Sequence, residues 1–164
     1  MGQETSPLTR YNPVAESDLD PRLKNLLRYW NDKRGDRALP SRADIDPLEL
    51  KQVLGNILLI DVVPSDAHEH GRRFRYRLFG TEFVFYHGTD LTGRWLDEIP
   101  NTDFRDSLIA MYHAVVEDGG RRMFSYDYML DSRRHRFQAL ILPLSGDGRT
   151  VDIILSCGLP VAIF

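Results

Sequence analysis

The side chains with metal-binding chemistry gather in one short stretch: Asp66, His68, Glu69 and His70 lie together between two apolar runs. His-x-His on an extended segment can put both imidazoles on one side, which suits zinc or copper. The spacing fixes no third ligand, however, and polar loops collect such residues, so the plain reading is a solvated loop. Two arginine groups come next, Arg72, Arg73, Arg75 and Arg77, then Arg121, Arg122, Arg133, Arg134 and Arg136. They look like an anion-binding surface, yet Asp127, Asp131 and a net charge of -3 oppose them. A solvated, aggregation-resistant sheet edge is the better account, with an acidic partner or an anionic nucleotide as the sharper alternative. The single cysteine, Cys157, reads as a small buried apolar residue and not as a reactive thiol. There is no phosphate-binding glycine loop, no H-E-x-x-H and no nucleophile elbow. Serines and aspartates are scattered without an evident base, so the chain does not read as an enzyme.

Composition sets the bounds on these groups. A chain of 164 residues is one domain, long enough to bury a core without staples. Its 42% hydrophobic and 27% charged residues are ordinary for a soluble globular protein. The small net charge gives no global field favouring nucleic acid or an anionic membrane. One cysteine excludes an internal disulfide framework and fits a reducing cytoplasm. The polar start MGQETSPLTRYNP has no apolar core of a secretory leader, and no apolar run approaches the ~20 residues of a membrane span. The expectation is a cytoplasmic protein with no membrane span and no nucleic-acid partner.

The elements that position these residues follow from periodicity. Asp20-Pro21 reads as a cap plus first helical residue, and Leu19, Leu23, Leu26, Leu27 and Trp30 form one apolar stripe on a helix ending near Gly35. That stripe packs on its own domain or pairs with a second subunit. Asp46-Pro47, with Glu49 as a capping-box partner, predicts a short helix to about Leu54. Ile57 to Val63 is apolar on both faces, a central strand, and Arg72 to Phe79 alternates as its hairpin partner at an edge. Gly80-Thr81 breaks the strand, Thr81 is placed to cap an aromatic helix through Tyr86, and Gly88 ends it. Trp95, Leu96 and Ile99 make a helical turn. Asp103 caps a longer helix with Phe104, Leu108, Met111, Tyr112, Val115 and Val116 on its apolar side. Three strands close the chain, Arg122 to Leu130, Arg136 to Leu144 and Val151 to Val161. Apolarity on both faces of the sheet requires a second cover, for which the N-terminal helix is the candidate.

This order resembles the PAS fold over about Ile57 to Val161. Pro40, Arg42, Ile45, Asp46 and Pro47 before the first strand, then Arg77, Leu78, Gly80 and Thr81, are similar to the motifs of a bacterial family of stand-alone PAS-like proteins long catalogued as a domain of unknown function. The resemblance implies an α+β fold, a five-stranded antiparallel sheet in the order 2-1-5-4-3 with short helices across one face and an N-terminal amphipathic helix. The expected organisation is an N-terminal arm over residues 1–17, a helical cap over 18–56 and a PAS-like core over 57–164.

Function is implied by the same resemblance: a sensory or regulatory module whose helices and sheet enclose a pocket. The pocket candidates are Arg77, Phe79, Phe83, Tyr86, His87, Trp95, Met111 and Tyr112, with plain core packing as the alternative for the apolar ones. Flavin photochemistry of the PAS type needs a cysteine on the first crossover helix, where this chain has none. Haem needs an axial histidine, for which only His87 and His113 lie on crossover segments. The cofactor is therefore unknown. Output is expected through a partner, as a homodimer or with a regulatory protein, with Leu19, Leu23, Leu26, Leu27 and Trp30 as the contact. A ligand-free interaction scaffold and a small-molecule enzyme are the other classes.

Overall fold

Asp20 opens the first helix by accepting a hydrogen bond from the Arg22 N–H at 2.9 Å, with Pro21 in the first turn. In the computed structural model, which describes the backbone of residues 11–100 and 102–164 and the side chains of these except 102–104, this helix is α1, Pro21–Arg34. It ends at Gly35, whose φ of 57° is the left-handed region where glycine carries no steric cost. Its stripe lies on the sheet, and the Trp30 indole N–H donates to the carbonyl of Pro143 at 3.0 Å. The second cover demanded by the two-faced strands is thus α1.

The expected short helix after Asp46-Pro47 is instead a chain of 3-10 turns, Pro47–Leu50 and Leu54–Asn56. Asp46 still caps, accepting from the Leu48 N–H at 3.0 Å. Glu49 does not close a capping box, because its carboxylate accepts from the Tyr29 hydroxyl at 2.8 Å, while the same hydroxyl accepts from the Asp46 N–H at 2.9 Å. Tyr29 on α1 therefore ties the connector to the helix. The capping box forms one turn earlier, between Ser41 and Asp44.

The sheet comprises β1 (Asn12–Pro13), β2 (Ile57–Pro64), β3 (Arg72–Phe79), β4 (Arg122–Leu130), β5 (Arg133–Leu144) and β6 (Ile153–Ile163). All pairs are antiparallel, in the order β1-β4-β5-β6-β2-β3. Five strands were expected; the sixth, β1, adds outside β4 by pairing Asn12 with Ser125 and Pro13 with Phe124. It comes from the segment read as an arm, of which residues 1–10 lie outside the described residues. β5 starts at Arg133 and not Arg136, because Asp131 and Ser132 take φ of 50° and 64° in a two-residue turn that continues both strands. β3 is an edge, and it is covered: the Tyr76 N–H donates to Arg94 O at 3.0 Å and the Gly93 N–H to Tyr76 O at 2.7 Å.

The opposite face carries α2 (Thr81–His87) and α3 (Thr102–Asp118). Gly80, and not Thr81, is the cap residue of α2, and no side chain caps it. A Cβ at Gly80 would strike the carbonyl oxygens of Gly55 and Ile57, so the close approach of α2 to the start of β2 requires glycine there. Gly88, with φ of 92°, ends the helix in the left-handed conformation. The Asp103 cap and the Phe104 position of the α3 stripe lie outside the described side chains. No helix among the described residues is long and apolar enough to cross a membrane.

Candidate ligand-binding site

Between the sheet and the α2–α3 layer lies a cavity of about 330 Å³. Its floor follows from strand alternation, which sends every second residue to the same face. β4 contributes Phe124, Tyr126 and Tyr128, β5 contributes Phe137, Ala139 and Ile141, and β6 contributes Ser156 and Gly158. Leu58, Tyr76 and Phe79 continue the wall on β2 and β3, and Phe83, Tyr86, His87, Leu108 and Tyr112 descend from the helices. The space depends on Gly158, where a Cβ would come within 2.9 Å of the Phe83 ring.

Six of the chain's seven tyrosines line this cavity: Tyr11, Tyr76, Tyr86, Tyr112, Tyr126 and Tyr128. Tyr126 stacks on Phe137, and Tyr86 meets the same Phe137 edge-on with centroids 5.2 Å apart. Tyr11, delivered by the segment that forms β1, packs on Phe124 with centroids 4.7 Å apart. Its hydroxyl is buried and has no hydrogen-bond partner among the described residues.

The described lining carries no carboxylate, lysine or arginine. Burial pushes the Tyr11 phenol up to about 12, raises those of Tyr76 and Tyr126 further, and raises that of Tyr112 well above its usual value. Tyr86 and Tyr128 are raised for the same reason. Burial lowers His87 below its usual 6.5, which keeps the imidazole neutral at pH 7. The cavity is therefore an uncharged, aromatic enclosure with polar hydroxyl tips, able to hold a small molecule by stacking and neutral hydrogen bonds.

Five of the eight expected pocket residues meet here: Phe79, Phe83, Tyr86, His87 and Tyr112. Arg77 and Trp95 do not. The alternation that points Tyr76 into the cavity points Arg73, Arg75 and Arg77 to the other face. There the Arg77 Nε donates to Asp61 at 2.8 Å, and Arg75 reaches the same carboxylate at 3.4 Å. Trp95 lies beneath the Arg73 and Arg75 guanidinium groups, 4.1 and 5.0 Å from its ring centroid. Met111 is half-buried against the core outside the lining. Sequence reading missed the sheet floor, although alternation in the β4 run already put Phe124, Tyr126 and Tyr128 on one face. It had no signal for Tyr11. The proposed partner stripe is buried in this chain's own core, with Leu19, Leu23, Leu26, Leu27 and Trp30 each at most 4% exposed.

The other chemical groups are dispersed. His68 bonds Ser65 Oγ at 2.7 Å and faces Asp97, whereas His70 contacts Glu117 at 3.1 Å, so the two rings serve different neighbours. Among the described residues no three His, Cys, Asp or Glu side chains group as metal ligands. His113 stands outside the cavity lining, packed on His70 and Phe74. The arginines are largely ion-paired: Arg73 grips Asp97 through two bonds of 2.6 and 2.7 Å, Arg136 grips Asp127 at 2.9 and 3.2 Å, and Arg122 pairs with Asp118. Cys157 is fully buried, and burial pushes its thiol up to about 12, far from a reactive thiolate.

An antiparallel sheet with α1 on one face and α2 and α3 enclosing a cavity on the other is a PAS-like architecture. Comparison with protein families matches residues 20–158 to the PAS domain, and the chain belongs to that family. The match begins at the cap of α1, so the helical region before the core falls inside it. Membership supports a generic sensory or regulatory module. A solved structure, the crystal structure of the PAS domain of an HTR-like protein from Haloarcula marismortui, is 20% identical, with 63% of this chain and 81% of that chain covered at a TM-score of 0.37. No curated protein matches.

Proposed function

We propose that the chain is a regulatory module that binds a small molecule in the cavity beneath α2 and α3 and passes its occupancy on through helix and sheet contacts. The observation that carries this reading is the partly open space of about 330 Å³ walled by neutral aromatic groups. Plain core packing would fill such a volume with side chains, since protein interiors leave few voids larger than a water. Occupancy acts through α2: Phe83 and Tyr86 touch the cavity, while Phe85 between them is 75% exposed. A ligand that fits one placement of α2 better shifts the population toward it, and a second copy or a regulatory protein reads the change.

Native mass spectrometry of freshly purified protein, repeated after denaturation, tests this. The expected result is an extra mass that denaturation releases. A bare chain that also fails to take up any small aromatic compound supports the ligand-free scaffold instead.

A further inference from the structure

The walls of the cavity restrict what it accepts. An apolar cavity of about 150 Å³ holds benzene, so about 330 Å³ has room for roughly two rings. Tyr126 and Phe137 supply a flat surface, with planes 13° from parallel. An ion would enter without a counter-charge, at a desolvation cost that nothing in the described lining offsets. The polar tips are phenols held in the protonated, donating form at neutral pH.

The Tyr11 donor differs from the others in being both unpartnered and closed off from water. The Tyr11 hydroxyl is buried with no partner among the described residues, and a buried polar group left unpaired is costly enough that native proteins rarely keep one. Tyr11 also directly precedes the least anchored strand of the sheet. β1 has two residues, and beyond its pairing with β4 the Val14 N–H donates to Met123 O at 3.1 Å. Elements with so few bonds open at low free energy. The hydroxyl is closed to water as the segment stands, so a cavity acceptor reaches it through a small shift of this loosely held segment, and the bond would both satisfy Tyr11 and hold the segment on the sheet.

Granting the small-molecule reading above, we propose that the occupant is an uncharged, planar compound of about two rings whose hydrogen-bond acceptor is captured by Tyr11, so that the ligand fastens the β1 segment to the sheet. The coupling is reciprocal: whatever loosens β1 weakens the ligand by the same factor.

Three probes of one shape separate the components. Coumarin is bicyclic, neutral and carries a carbonyl acceptor; naphthalene lacks the acceptor; 2-naphthoate carries a negative charge. Each is titrated into the full 15N-labelled chain and followed by amide NMR. Coumarin is expected to shift cavity amides together with those of Tyr11 and Val14. Tyr11→Phe, which keeps the ring on Phe124, is expected to weaken coumarin about fivefold and leave naphthalene unchanged, the latter serving as the check on folding. 2-Naphthoate is expected to bind at least about tenfold more weakly than coumarin. Coumarin affinity unchanged in Tyr11→Phe, or 2-naphthoate binding as tightly as coumarin, overturns this inference and leaves the small-molecule reading standing. Failure of all three probes to shift cavity amides overturns both.

Discussion

Tyr126 and Phe137 are direct cross-strand partners on β4 and β5, and their rings stack 5.4 Å apart at 13° on the floor of the cavity. Cross-strand aromatic pairs stabilise a sheet as well as shaping its surface. Phe137 is 2% exposed, so Phe137→Ala removes a buried ring and enlarges an existing void. The expected cost is about 3–5 kcal/mol, read as a shift in urea midpoint. Tyr126→Phe keeps the stack and should cost far less. Equal losses in the two variants would mean that the hydroxyl and not the stack holds the floor.

Arg77 and Trp95 are reassigned from the pocket to the opposite side of β3. Arg77→Ala and Trp95→Ala should leave the affinity of any cavity ligand unchanged, as measured by titration, while Phe79→Ala weakens it. A loss of binding on Arg77→Ala with the fold intact would return the arginine to the site.

Leu23, on the apolar stripe of α1, is fully buried. Leu23→Ala should therefore cost about 2–5 kcal/mol in urea unfolding with no change in subunit number by analytical ultracentrifugation. Dissociation of a dimer without loss of stability would instead place this stripe at an interface between copies.

The strands and helix ends were largely legible, since their signals are local. Asp20-Pro21 and Gly35 bound α1, and the alternation of Arg72 to Phe79 gave β3 to the residue. Tertiary partners decided the rest. The capping box expected after Asp46 does not form because Tyr29, 17 residues earlier, engages Glu49 and also takes the Asp46 N–H. Four lining residues, Phe83, Tyr86, His87 and Tyr112, were readable from α2 and α3. Its floor required knowing which face of β4 and β5 turned inward, and Tyr11 required a two-residue pairing too short to leave a periodic trace.

Acid should weaken the fold through its histidines, chiefly His113, which is 7% exposed, and less through His87, whose side chain reaches solvent. Burial lowers His113, helped by the charges of His70 and Arg72 and opposed by Glu117 and Glu69, and burial lowers His87. The unfolded chain then binds more protons than the folded one, so stability rises with pH. The contribution is complete above the unfolded value of 6.5 and is lost as the pH falls below it toward the depressed folded values. Urea midpoints should decline from about pH 7.5 to 5.5, and His113→Gln should flatten the decline. An unchanged slope in that variant would remove His113 from the account.

The cavity depends on Gly158, where a Cβ would meet the Phe83 ring at 2.9 Å and the Tyr126 hydroxyl oxygen at 3.5 Å. Gly158→Leu puts a side chain into the space a ligand needs. Native mass spectra of wild type and Gly158→Leu, recorded after equal additions of coumarin, test the central claim most directly. The account predicts a bound probe on wild type and none on the variant, with matching circular dichroism. A wild type that stays bare, or a variant that carries the probe equally well, would contradict it.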